Sequence, residues 1–208
     1  DFIGEKHATY SVLDLSHPVS IGSYMNEPDV INNRYQLSLA MDEAKKALPK
    51  LFNTYSQLSG RKHETVSGYC HEDADILLFL IGSSYHTACV AVDQLRAKGI
   101  KAGVVTLHVL RPFPAEELRH FCCHAKVILA ADRQDSYGAG GGNMSLELRA
   151  ALQENTASGH PIRVLTRIYG LGGKDFFVED ALALFEEAAK NNAKEFDYYG
   201  ITPGTDQS

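Results

Sequence analysis

The sequence predicts an α/β domain of three layers, with a mainly parallel sheet between two layers of helices. Two observations predict it. From residue 74 onward, short apolar runs rich in β-branched residues alternate with segments of helical spacing. Those runs are apolar at successive positions, as in Ile76–Ile81, which is the pattern of strands covered on both faces.

Taken in order, the expected elements are these. Residues 1–34 carry Gly4, Pro18, Gly22 and Pro28 with weak periodicity and read as an extended arm or linker. Phe2, Ile3, Tyr10, Val12, Leu13, Leu15, Ile21 and Tyr24 make that arm too apolar for a free linker, so it is expected to lie against a surface. Residues 35–60 read as a helix packing on the domain, from the spacing of Leu37, Met41, Ala44, Leu48, Leu51 and Tyr55. Pro49 should kink or split it, and Gly60 suits the residue just past its end. The α/β domain proper is expected over 73–192. Its strands are Ile76–Ile81, Gly103–Leu110, Lys126–Ala131 and Ile162–Ile168. Its helices are Thr87–Ala97, ended by Gly99, Ala115–Phe121, opened by Pro114, Met144–Leu152 and Glu179–Lys190. This βαβαβαβα order calls for right-handed crossovers. Residues 193–208 read as a polar tail.

Composition narrows the function classes. Of 208 residues, 44% are hydrophobic and 22% charged, the mix of an ordinary globular domain. The formal net charge of −6 gives no support to a nucleic-acid partner, which needs a basic excess. No apolar run is long enough to span a bilayer, so no membrane partner is expected. Four cysteines, with Cys122 and Cys123 adjacent and no CxxC, do not make a disulfide scaffold, and a reducing cytoplasmic location is expected. The chain opens on Asp1 with no leader-like segment after it, and is expected to be a piece of something longer.

Ligands of a parallel α/β sheet bind beyond the carboxyl ends of its strands, and four unusual segments are expected there. In the first, Gly82, Ser83 and Ser84 open a helix that includes Thr87, a place where free backbone N–H groups welcome an anion or where a serine simply caps the helix. In the second, Arg111 precedes Pro112-Phe113-Pro114; it can hold a carboxylate or phosphate, or pair with Asp132 or Glu116 as a strut. The third runs from Asp132-Arg133 to Gly140-Gly141-Gly142, a flexible run that could cradle phosphate or let the backbone approach a neighbour closely. The fourth is Gly172-Gly173-Lys174-Asp175. It fails as a P-loop, because Ile168 stands where the first glycine belongs and Asp175 where a Ser or Thr should hold magnesium. A turn with a salt-bridging Lys174 and Asp175 is the expected account.

Neither glycine segment satisfies GxGxxG, no GxSxG occurs, and His63-Glu64 lacks the second histidine of HExxH. Cys122-Cys123-His124 is too compact for one tetrahedral metal site. These residues therefore supply candidates for anion binding or an interface, with no catalytic set and no metal site.

Several of these segments occur together and in order. They are Asp73-Ala74-Asp75, Gly82-Ser83, Val92–Arg96, Lys98–Val104, Leu110–Pro114, Asp132-Arg133, Ser136-Tyr137-Gly138 and Gly170–Asp175. In this combination the chain resembles the pyruvate:ferredoxin and related 2-oxoacid:ferredoxin (or flavodoxin) oxidoreductases. The likeness is to the second domain of their α subunit, which has a transketolase C-terminal-like fold. Two departures are Gly140–Asn143, where relatives usually read Gly-Gly-Pro-Leu, and Lys174, where arginine is common.

The resemblance implies oxidative decarboxylation of a 2-oxoacid, foremost pyruvate, to an acyl-CoA. It implies thiamine diphosphate, magnesium, iron–sulfur clusters and coenzyme A in the holoenzyme, and ferredoxin or flavodoxin as acceptor. None of these cofactors is expected to be bound by this segment, which lacks a GDG…N stretch and a CxxCxxC run. Its expected role is scaffolding and assembly against other domains or subunits, and it is expected to be inactive alone. Two alternatives stay open: a stand-alone anion- or nucleotide-binding module, and a transketolase-like dehydrogenase β-type C-terminal domain.

Overall fold

The computed structural model describes residues 4–5, 7, 14–18, 22, 24–153 and 161–202. Most of the apolar arm residues named above, and residues 203–208, lie outside them. Contacts divide the chain into two units, Asp1–Asp42 and Glu43–Ser208. In the first, Asp14 accepts hydrogen bonds from Ser16 N (2.9 Å) and Ser16 Oγ (2.5 Å) and sits 3.2 Å from His17 Nδ1.

Helix α1 (Asp29–Ser59) begins at Asp29, just after Pro28, before the apolar spacing becomes visible. A proline at the threshold costs no hydrogen bond, and the Asp29 carboxylate complements the positive end of the helix. The expected break at Pro49 does not occur: α1 is one element across it. One missing N–H is tolerated where Ala47, Leu48, Lys50 and Leu51 all favour helix. Gly60, at φ 68°, ends it as expected, its N–H returning to the Ser56 carbonyl (3.0 Å).

The sheet holds six strands: β1 (Val66–Tyr69), β2 (Ile76–Phe79), β3 (Ala102–Leu107), β4 (Val127–Asp132), β5 (Arg163–Ile168) and β6 (Phe196–Tyr198). Their spatial order is β1-β3-β2-β4-β5-β6, with every pairing parallel except β1 against β3. The helices of this unit are α2 (Ser84–Arg96), α3 (Ala115–Cys122), α4 (Asn143–Gln153) and α5 (Val178–Ala188). The expected four strands and four helices are all present. β1 and β6 are additions at the two edges. β1 is short and contains Gly68, and β6 is a three-residue strand inside the segment expected as a polar tail.

Successive strand residues serve opposite layers. Leu78, Leu80, Val104, Leu129, Ala131 and Leu165 pack with Ala88, Val92 and Leu95 of α2 and with Ala181, Leu184 and Phe185 of α5. Leu77, Phe79, Val105, Ile128 and Ala130 pack with Leu118 and Cys122 of α3 and with Met144 and Leu148 of α4. This is the three-layer α/β/α arrangement with a mainly parallel sheet. Among the described residues, no helix is long and apolar enough to cross a membrane.

One charged side chain lies inside this packing. Arg167 of β5 is 1% exposed. Its Nε and Nη2 donate to Glu187 Oε1 of α5 (3.1 and 2.6 Å), Nη1 to the Thr166 carbonyl (2.6 Å) and Nη2 to the Lys194 carbonyl (2.9 Å). The guanidinium thereby ties β5 to α5 and to the turn that delivers β6. A buried charge stripped of its partner is costly. Glu187→Ala is therefore expected to lower unfolding stability by about 3 kcal/mol, and Glu187→Gln, which keeps an oxygen acceptor, by less. Urea denaturation of the two variants checks the order.

Candidate functional site

The strand-end loops meet as the alternation requires, but most of their polar groups are bonded inside the fold. Asp132, the last residue of β4, is 4% exposed, and its Oδ2 accepts the Ser145 N–H (3.0 Å) in the first turn of α4. The Gln134 Oε1 accepts the Asn143 N–H (2.8 Å), and Ser145 Oγ donates to the Gly142 carbonyl (2.9 Å). The chain supplies its own carboxylate to the positive end of α4. Burial pushes the Asp132 carboxyl above its usual range, against the opposing pull of the Ser145 and Met144 hydrogen bonds.

The glycines beside it are there for close approach. A Cβ at Gly142 would stand 2.3 Å from the Gln134 carbonyl oxygen and 2.6 Å from the Asp132 side chain. One at Gly141 would stand 2.4 Å from Ser145 Oγ and 2.9 Å from Thr166. Gly140, by contrast, faces open space. The neighbour approached is the domain's own β4 and β5.

Arg111 is paired, but with neither carboxylate expected from the sequence. Its Nη2 reaches Glu147 Oε1 of α4 (2.6 Å), and Nη1 donates to the Leu110 carbonyl (2.8 Å). Glu116 instead faces Lys45 (3.5 Å), and Asp132 faces α4. Helical spacing explains the difference: Glu147 lies one turn along from Asn143, on the α4 segment that starts beside the strand ends. Arg133 stacks its guanidinium 5.2 Å from the centre of the Tyr169 ring and reaches the Lys174 carbonyl (3.5 Å). A Cβ at Gly170 would stand 2.8 Å from Arg133 Nε.

Gly172 and Gly173 form a 3₁₀ turn at φ 68° and 81°, with open space around them. The expected Lys174–Asp175 salt bridge gives way to another bond: Lys174 Nζ donates to the Gly200 carbonyl (2.5 Å). That partner was hidden because the β6 segment offers no apolar pattern. Asp175 is exposed.

The Gly82-Ser83-Ser84 turn opens differently. Ser83, at the start of α2, makes no side-chain capping bond, and Ser84 is 3% exposed. The turn is closed by backbone bonds, Tyr85 N–H to the Gly82 carbonyl (3.1 Å) and His86 N–H to the Ser83 carbonyl (3.2 Å). Thr87 is half-buried in α2. Gly82 and Ser83 line a cleft of about 480 Å³ together with Lys62, Ser67, Tyr85, His86, Thr106 and His108. Sequence reasoning missed Lys62 and Ser67 because β1 carries no recognisable signal, and Thr106 and His108 because strand order is not legible in one sequence. Gln134, Glu147 and Tyr169 were likewise invisible as partners.

Among the described residues, no three His, Cys, Asp or Glu side chains converge as metal ligands. Cys122 is buried, and Cys70 and Cys89 pack against the core.

A doubly covered parallel sheet with braced strand-end loops defines a three-layer α/β domain. Residues 74–181 match the family model described as pyruvate:ferredoxin oxidoreductase core domain II. The chain belongs to that family. It is 33% identical over 202 residues to the pyruvate synthase subunit PorA of Thermotoga maritima, covering 96% of this chain and 50% of that one. It is 34% identical over 191 residues to the ketoisovalerate oxidoreductase subunit VorA of Pyrococcus abyssi, covering 91% and 47%. The chain spans about half the length of these curated relatives. Among solved structures it is similar to a 2-oxoglutarate:ferredoxin oxidoreductase from Magnetococcus marinus, at 22% identity and a TM-score of 0.45, over 64% of this chain and 21% of that one.

The Asp132 carboxyl gives a pH test. Its native value lies above the ordinary one, so the folded chain holds this proton longer than the unfolded chain. The stability this supplies is fully present below the ordinary carboxylate range and is lost as pH rises through the raised native value. Asp132→Asn keeps an oxygen for Ser145 N–H and cannot titrate. The stability of the variant relative to the native chain is expected to rise between pH 4 and pH 8, as read by urea denaturation at both ends.

Proposed function

We propose that this chain is the second core domain of the α-type subunit of a thiamine diphosphate-dependent 2-oxoacid:ferredoxin oxidoreductase. The enzyme would oxidatively decarboxylate a small 2-oxoacid, pyruvate foremost, to its acyl-CoA. The likeness to PorA over 96% of the chain supports that activity. The nearly equal likeness to a ketoisovalerate oxidoreductase subunit supports comparing branched 2-oxoacids with pyruvate as substrates. Thiamine diphosphate, magnesium, iron–sulfur clusters and coenzyme A would be held by other segments or subunits. Ferredoxin or flavodoxin would receive the electrons, in the cytoplasm.

This domain's own part is assembly. The observation that carries it is the division of labour at the strand-end edge. Arg111, Asp132, Arg133 and Lys174 are bonded within the fold, while large apolar side chains from the same loops face outward. Tyr137 is 89% exposed, Phe177 60% and Leu171 47%. An apolar rim on a braced edge suits a protein neighbour better than a small polar ligand. The occupants proposed are the other domains and subunits of the oxidoreductase.

The Arg111–Glu147 pair tests this reading in the complete enzyme. An exposed pair of this kind contributes about 0.2–1 kcal/mol to folding, so its loss should not unfold the domain. Arg111→Glu sets two like charges together on the rim and is expected to lower the yield of assembled complex in size-exclusion chromatography. The exchanged pair, Arg111→Glu with Glu147→Arg, should recover most of it, with turnover per assembled complex unchanged. Full assembly of Arg111→Glu with a selective loss of coenzyme A affinity would instead make the edge a ligand site.

A further inference from the structure

Helix α1 is long and leaves its apolar side uncovered. It runs for 31 residues, about 46 Å at the usual rise, and none of its side chains is buried. In water a helix is held mainly by packing of its apolar face, so a face left open calls for a partner.

Spacing defines the face. Alternating steps of three and four residues connect Leu37, Met41, Ala44, Leu48, Leu51 and Tyr55. The same steps extend back through Arg34 to Val30 and forward to Leu58. Over roughly four heptads this is the seam of a helix that pairs with another helix. Val30, Leu37, Met41, Leu51 and Leu58 are exposed along it. Tyr55 leans on the His63 ring, 4.6 Å between centres.

Charge selects the occupant. The middle of α1 reads Asp42-Glu43-Ala44-Lys45-Lys46, two acids and two bases set symmetrically about Ala44. A two-fold axis at Ala44, with a second copy running antiparallel, places Asp42 opposite Lys46 and Glu43 opposite Lys45 of that copy. The same axis sets Leu51 against Leu37 and Leu58 against Val30. It sets Leu48 against Ala40 and Met41 against Ala47, a bulky side chain facing a small one each time. A parallel pair would instead bring acid beside acid and base beside base, and would align the two helix dipoles unfavourably. Within the chain, Lys46 pairs with Glu43 (2.7 Å) and Lys45 with Glu116 (3.5 Å). Ion pairs open to solvent are weakly held and can exchange partners across such a seam.

We propose that the seam of α1 is an interface between two copies of this chain, paired antiparallel about Ala44. Such an interface is isologous, each copy presenting the same surface to the other. The inference rests on α1 and is independent of the oxidoreductase reading and of the strand-end rim.

The test uses the full chain purified with its partner subunits. Ala44→Cys places a thiol at the two-fold axis, and Asn53→Cys places one on the exposed opposite side of the same helix. Each is oxidised with diamide beside the chain without an added cysteine, which controls for Cys70, Cys89, Cys122 and Cys123. Ala44→Cys is expected to give a disulfide-linked dimer of this chain, read by non-reducing electrophoresis and peptide mapping, and Asn53→Cys none. With Ala44→Cys in place, Asp42→Lys and Glu43→Lys set base against base and are expected to lower the dimer yield roughly tenfold at low salt. Adding Lys45→Glu and Lys46→Glu restores opposite signs and is expected to recover the yield. The proposal is overturned by any of three results: no dimer through position 44, a crosslink from that position to a different subunit, or an equal yield at position 53.

Discussion

Covering both faces of a parallel sheet leaves almost no strand position free for chemistry. In β2 and the residue after it, Leu77 and Phe79 serve one helical layer and Leu78 and Leu80 the other, and all four are fully buried. Polar groups are therefore displaced toward the carboxyl ends of the strands. The buried polar residues of the strands obey this: Thr106 is the next-to-last residue of β3, Asp132 ends β4, and Thr166 and Arg167 stand near the end of β5. Each such group must then find a partner or impose a cost. Asp132 finds the amides of α4, and Arg167 finds Glu187 and two carbonyls. The rest of the architecture is arranged around making those partners available.

The glycine loops are part of that arrangement. Gly141 and Gly142 bring the start of α4 down onto β4 and β5, so that Ser145 N–H reaches the Asp132 carboxylate. With side chains there, the loop would have to lift, and a buried carboxylate would lose its donors. A loop that reads in sequence as a phosphate cradle is occupied from within by a carboxylate of the same chain. The Gly82 turn is closed instead by its own backbone, the Tyr85 and His86 N–H groups returning to the Gly82 and Ser83 carbonyls.

How much of this was legible in the sequence follows from where the information resides. The parallel strands and their helices were legible because each carries a dense local pattern, such as Ile76–Ile81 or Lys126–Ala131. β1 and β6 were not, because their place depends on pairing partners rather than on their own residues. Four residues including Gly68 do not announce a strand. Gly68 is needed for a non-local reason, since a Cβ there would stand 2.0 Å from the His71 ring, which stacks on Phe121. The positions of Arg111 and Asp132 at the edge were legible, whereas the partner of Arg111 was not. An arginine's reach spans several carboxylates, and only the set of α4 against the sheet selects Glu147. Of the two outcomes expected at Pro49, a kink or a split, the split does not occur, because strong helix formers flank it.

The segments that carried the family resemblance turn out to be fastening points of the backbone. Arg96 donates to the carbonyls of Ala102 (2.7 Å) and Cys70 (2.6 Å) and to Asp73 (2.7 Å), locking the α2-to-β3 turn to the start of β2. That hydrogen bond holds the Asp73 carboxyl below its usual range. Gly99, at φ 78°, lets the same turn reverse, and Gly103 lies where a Cβ would stand 2.5 Å from the Cys70 carbonyl oxygen. Gly170, at φ 63°, passes beneath the Arg133 guanidinium that stacks on Tyr169. These residues are distinctive because geometry leaves few alternatives. An ordered set of such constraints identifies the family while naming no catalytic residue.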